Sequence, residues 1–114
     1  MAFVEHFEIP TTDIKRAQTF YKQVLEFDYE PWGDEMGVLR QPEQKGINGD
    51  LHIQGALAHP TVVFTVDSIE ETVKRAVANG GTQMGEIQQL NETSRWVYIT
   101  DSEGNVIGLY DSVD

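Results

Sequence analysis

The sequence predicts an α+β fold made of two βαβββ modules. Three observations predict it. A short alternating strand leads into helix-capping residues at Thr11-Thr12-Asp13, and the same succession returns at Asp67-Ser68. Each helix pattern is followed by three short strand-like segments separated by turn residues. Shifted by 55 residues, the halves overlay, with Phe7 on Val62, Ile9 on Phe64, Asp13 on Ser68 and Ile14 on Ile69. This is a repeat of pattern rather than of identity. One such unit leaves a sheet face uncovered; two can cover each other or pair their curved sheets into a cup.

The elements follow in order. Phe3 to Ile9 alternates, with Phe3, Glu5, Phe7 and Ile9 on one side and Val4, His6 and Glu8 on the other, so it reads as a strand ended by Pro10. Asp13 is a good N-cap, and Ile14, Ala17, Phe20, Tyr21, Val24 and Leu25 form one apolar helix face. Pro31, Gly33, Gly37, Pro42, Gly46 and Gly49 then divide the chain into strands at Phe27–Glu30, Met36–Arg40 and Asp50–Gln54. Gly55 to Pro60 is a connector. Thr61–Val66 is β-branched and apolar. Ser68 and two first-turn acids, Glu70 and Glu71, open the second helix, and Asn79-Gly80-Gly81 stops it. Thr82–Gln88, Trp96–Thr100 and Val106–Tyr110 complete the second module, with Ser102–Asn105 as a turn. The reading is one domain over residues 1–114, with modules at about 1–55 and 60–114.

Composition narrows the function. Nineteen acidic residues against eight basic ones give a net charge of −11, which argues against a phosphate-backbone partner. No apolar run approaches the roughly 20 residues that span a bilayer, and the N-terminus lacks the pattern of a secretory signal. The absence of cysteine removes disulfides, thiolate nucleophiles and Cys-ligated zinc, and fits a cytoplasmic location. No nucleophile elbow, phosphate loop or dinucleotide fingerprint is present.

Several segments carry a family resemblance. His6-Phe7-Glu8-Ile9-Pro10, Asp13, Phe20-Tyr21, Gly46-Ile47-Asn48-Gly49, Val66-Asp67-Ser68-Ile69, Asn79-Gly80-Gly81 and the run from Asp101 to Leu109 occur in order along the chain. Together they resemble the vicinal oxygen chelate (glyoxalase/bleomycin resistance/dioxygenase) superfamily, in the branch related by sequence to lactoylglutathione lyase. The resemblance implies the paired-module fold, a homodimer and a small organic ligand. In metal-using members it also implies a divalent ion that chelates vicinal oxygens and acts as a Lewis acid. Carried over position by position, the ligand sites fall on His6, Thr61, Gly108 and Asp50. Thr61 is a poor ligand and Gly108 has no side chain, so the usual triad is incomplete.

Three readings follow. The first is a glyoxalase-like small-molecule-binding protein without the usual metal triad and with no cofactor preferred. His6, Thr61, Gly108, Tyr110 and Trp32 would line its pocket, with Gly108 opening space where a ligand residue would sit. Within that reading, Glu8 on an aromatic-lined floor is the candidate catalytic base. The second is a metal-dependent lyase, isomerase or dioxygenase using His6, Glu8, Asp50 and His52. Strand alternation pairs His6 with Glu8 and Asp50 with His52, and in this fold the first and fourth strands of a module are neighbours. The third is a sequestration protein of the antibiotic- or toxin-binding kind. His59 reads as a solvated loop residue, and Trp96, sharing a face with Tyr98, as a core or interface residue.

Overall fold

The computed structural model describes residues 1–113. Its elements are β1 (Phe3–Thr11), α1 (Ile14–Leu25), β2 (Asp28–Pro31), β3 (Met36–Arg40) and β4 (Gly49–Ile53), then β5 (Thr61–Thr65), α2 (Ile69–Ala78), β6 (Thr82–Gln89), β7 (Ser94–Thr100) and β8 (Val106–Ser112). Strand, helix and three strands therefore occur twice, as the sequence predicts. The chain gathers into two compact units, one of His6–Thr61 and one of Met1–Glu5 with the chain from Val62 onward.

In the unit of residues 6–61 the strand order is β2-β3-β4-β1. β1 and β4 run parallel, as the intervening crossover helix requires, and β4-β3-β2 is antiparallel. Asp13 caps α1 by accepting from the Arg16 N–H at 3.0 Å. At the other end Glu26 turns left-handed at φ 63°, and the Phe27 N–H reaches the Tyr21 carbonyl at 3.1 Å. That turn brings the Phe27 ring within 6.3 Å of Phe7 and 6.2 Å of Tyr21, an aromatic cluster on the helix side of the sheet. Leu39 and Leu51 are fully buried, each contributing about 1.5–3 kcal/mol of transfer free energy.

Pro10, expected to end the first strand, lies inside it. The ladder continues with Pro10 opposite His52 and Thr11 opposite Ile53. Proline's fixed φ suits an extended chain and removes only a donor; the Thr11 carbonyl still accepts from Gln54 at 2.8 Å.

Gly49 fixes the register on which the site depends. It lies opposite Phe7, and a Cβ built on it would stand 2.1 Å from the Phe7 ring. Gly49→Ala is expected to destabilise by about 1–3 kcal/mol through overpacking, read as a lower urea midpoint with an unchanged slope. A midpoint equal to that of the parent would show the ring to be free to move.

The other unit has strand order β5-β8-β7-β6. Its core is Val66, Ile69, Val97, Ile99 and Leu109, with Phe64, Val73, Ala76, Ile87 and Ile107 packed around them. β7 starts earlier and β8 ends later than the apolar pattern indicates. The cause is polar: Arg95 lies opposite Asp111 in the ladder, and their ion pair extends it beyond the hydrophobic residues. Asp111 is buried and also accepts from the Ile69 N–H at 2.8 Å, adding a second cap to the one Ser68 makes with Glu71. Arg95 grips Glu70 as well and holds its carboxyl down to about 2. Gly80, at φ 96°, ends α2. Among the described residues no helix is long and apolar enough to cross a membrane.

Candidate functional site

Alternation in β1 sends Phe7 toward α1 and leaves His6 and Glu8 on the opposite face. In β4 the buried Leu51 anchors the helix side, which holds Asp50 and His52 on that same opposite face. The register then decides what meets. Glu8 lies directly across from Asp50, and Asp50 across from Val38 on β3. Three of the four residues expected to converge do so. One ligating atom each from His6, Glu8 and Asp50 lies within 4.8 Å of the other two. The His6 Nε2 and Glu8 Oε2 are 3.5 Å apart. His52 stands behind this group, its Nδ1 2.9 Å from Asp50 Oδ1.

The charges are poorly solvated. Side-chain exposure is 15% for both Glu8 and Asp50, against 25% for His52. Burial pushes the Asp50 carboxyl above its ordinary range, the Glu8 charge adds to this, and the bond from His52 opposes it. The same bond raises His52, with burial working against it. Tyr29 on β2 is raised by burial and then by the Asp50 charge. This is a cluster in which negative charge is held against its solvation preference, which a cation would relieve.

The donor set fits a divalent metal ion. Imidazole nitrogen and carboxylate oxygens bind at about 2.0–2.2 Å, which sets neighbouring donors roughly 3–3.5 Å apart. The His6–Glu8 separation already matches that spacing.

An open depression adjoins the cluster at the turn between β2 and β3. Trp32, Gly33, Asp34, Glu35, Met36, His52 and Ile53 line it. His52 thus faces the depression and touches Asp50. Trp32, one of the residues the sequence names as pocket-lining, borders this depression.

The remaining candidates lie at the corresponding places of the second module. Val63 is opposite Gly108 in the β5–β8 ladder, as Glu8 is opposite Asp50 in β1–β4. Thr61 occupies the place of His6; it is 4% exposed and its hydroxyl donates to the His59 carbonyl at 3.3 Å. Gly108 does not leave the open space its missing side chain promised. A Cβ there would stand 2.9 Å from a Val63 methyl, so valine fills the volume. Tyr110 lies opposite Trp96 on β7, and Trp96 packs edge-on to Tyr98 with ring centroids 5.3 Å apart. This face of the second module carries methyls and rings where the first carries donors.

Sequence reasoning missed Asp34, Glu35 and Met36 as neighbours of His52. Met36 is directly across from His52, a pairing that only the β3–β4 register supplies.

The same architecture recurs among solved structures. A hypothetical protein from Bacillus halodurans C-125 matches with a TM-score of 0.75 at 16% identity, covering 99% of this chain and 96% of that one. A glyoxalase/bleomycin resistance protein/dioxygenase superfamily member from Vibrio splendidus 12B01 gives 0.71 at 18% identity, over 98% and 100%. Methylmalonyl-CoA epimerase from Mycobacterium tuberculosis gives 0.65 at 18% identity, over 97% and 88%. At these identities the likeness is one of fold. No curated protein sequence matches this one. The family model described as Glyoxalase/Bleomycin resistance protein/Dioxygenase superfamily matches residues 4–109.

Proposed function

The chain belongs to the glyoxalase/bleomycin resistance protein/dioxygenase superfamily, and on that premise we propose that it binds a small organic molecule at a divalent-metal site made by His6, Glu8 and Asp50. The observation that carries this reading is the mutual approach of the three ligating atoms to within 4.8 Å. A bound divalent ion supplies Lewis-acid stabilisation to a substrate bearing adjacent oxygens. The residues divide the remaining work. His6 and Glu8 present donors from one strand and Asp50 from its neighbour. His52 holds the Asp50 carboxylate through Nδ1, as outer-shell partners of ligands do. Leu51 and Phe7 keep both strands in register from the opposite face. The reaction class this supports is that of a lyase, isomerase or dioxygenase, in the branch related to lactoylglutathione lyase.

The test is calorimetric titration of chelator-stripped protein with manganese, nickel, zinc and ferrous ions. One site per chain is expected with at least one of them, weakened by about tenfold or more in His6→Ala, since even outer-shell losses cost about 10–100-fold. Equal binding by the parent and His6→Ala, or no saturable binding by the parent, would overturn the reading.

A specific observation favours a second reading. In the second module Thr61, Val63 and Gly108 offer neither imidazole nor carboxylate where the first has His6, Glu8 and Asp50. A metal-free small-molecule-binding protein with Glu8 as its base, or a sequestration protein that needs none, is the function in which that loss costs nothing. In either reading we place the protein in the cytoplasm as a homodimer, the latter supported by exposed Phe20, Val24 and Leu25 on α1; sedimentation equilibrium tests it.

A further inference from the structure

The depression at the β2–β3 turn has a chemistry that the metal reading does not use. Trp32 exposes 58% of its surface, and its ring makes no aromatic contact among the described residues. A large indole held open to solvent beside a concavity is an available contact surface. Asp34 and Glu35 follow it on the same turn. Among the described residues neither is in an ion pair.

The turn is a fixed wall rather than a loose loop. The Trp32 N–H donates to the Met36 carbonyl at 2.8 Å, closing the β2–β3 hairpin. The Ile53 N–H donates to the Glu35 carbonyl at 2.7 Å, tying the turn to the end of β4. Gly33 makes the bend at φ 84°, where a side chain would be strained. Met36 and Ile53 supply apolar lining, and His52 closes the side nearest Asp50.

We propose that this depression is a binding site for an organic cation, a protonated amine or quaternary ammonium group, seated against Trp32 with Asp34 and Glu35 as counter-charges. The face of an indole attracts a cation through its quadrupole, and weakly hydrated alkylammonium groups gain most. Met36 and Ile53 accept the alkyl substituents, which a bare metal ion lacks. The two carboxylates repel an anion, and the chain's net charge of −11 attracts cations from a distance. The site stands without a metal, so it goes beyond the reading above. A ligand whose cationic end lies here has its other end toward His52 and Asp50.

Choline, its uncharged isostere 3,3-dimethylbutan-1-ol and acetate test the proposal by proton–nitrogen NMR of chelator-treated protein. The chain has two tryptophans, and Trp32→Phe identifies which indole signal belongs to Trp32. Choline is expected to move that signal saturably and leave Trp96 in place. Its binding should be about fivefold tighter than that of the neutral alcohol. Asp34→Asn combined with Glu35→Gln should cut that preference to about twofold, the part the indole face supplies, while the rest of the spectrum stays folded. Acetate should move nothing. Equal binding of choline and the alcohol, a choline preference undiminished by the double substitution, or no movement of the Trp32 signal would each overturn the assignment. Because the protein is stripped of metal, none of these outcomes depends on whether His6, Glu8 and Asp50 hold an ion.

Discussion

Asp111→Ala is expected to lower the unfolding free energy by about 3 kcal/mol or more, the cost of breaking one side of a buried ion pair. Asp111 is only 5% exposed, and its two oxygens serve three donors. Oδ2 accepts from the Ile69 N–H at 2.8 Å and from Arg95 Nη2 at 2.6 Å, while Oδ1 accepts from Arg95 Nε at 3.0 Å. Alanine leaves the first N–H of α2 unsatisfied beside fully buried Ile69 and leaves Arg95 with Glu70 alone. For a chain of this size the loss corresponds to a fall in Tm of roughly 10 °C or more. Asp111→Asn, which keeps one acceptor, should fall between, and Glu70→Gln, at the surface end of the network, should cost little. Thermal unfolding followed by circular dichroism measures all three. A fall of only a degree or two in the alanine variant would mean that water replaces the carboxylate.

Asp50→Asn should have the largest effect on binding and the opposite sign in stability. It removes one of three proposed donors, so affinity for the preferred divalent ion should drop by about 100-fold or more, beyond the usual cost of an outer-shell loss. Metal-free protein should be unharmed or slightly stabilised above neutral pH. The sign follows from the direction of the shifts. A carboxyl raised by burial holds its proton more tightly folded than unfolded, so its contribution to stability declines as pH rises above the ordinary value of 3.8. His52, also raised, contributes fully below its ordinary 6.5 and loses that contribution as pH rises through its folded value. Both therefore weaken the metal-free fold toward alkaline pH. Asparagine removes the carboxylate's share while its amide oxygen can still accept from His52. Metal should offset the same weakness in the parent, by about 2.7 kcal/mol at a hundred times Kd, and fail to do so in Asp50→Asn. Melting curves between pH 5 and 9, with and without the ion, check both halves. A variant as strongly stabilised by metal as the parent would exclude Asp50 as a donor.

Much of this was legible in the sequence because it rests on local periodicity. Alternation put His6 with Glu8 and Asp50 with His52, and capping residues located both helices. What periodicity does not carry is register. Nothing local says that Glu8 lies across from Asp50, or that Met36 lies across from His52; those pairings come from Phe7 seated on Gly49 and from the β3–β4 ladder. The limits of β7 and β8 were hidden for a related reason, since Arg95 and Asp111 join two strands by charge and leave no hydrophobic trace. Gly108 misled in another way. A missing side chain creates room only where no neighbour takes it, and Val63 does.

The facing pairs Glu8–Asp50 and Val63–Gly108 are also close in the genetic code. Valine and glutamate codons differ by one base, as do glycine and aspartate codons. The order of the changes matters. An aspartate at residue 108 meets the Val63 methyl at once, whereas glutamate at residue 63 first removes that branch and clears the way. A module of this kind can thus pass between a carboxylate pair and an apolar plug in two mutations, provided they occur in the sterically permitted order.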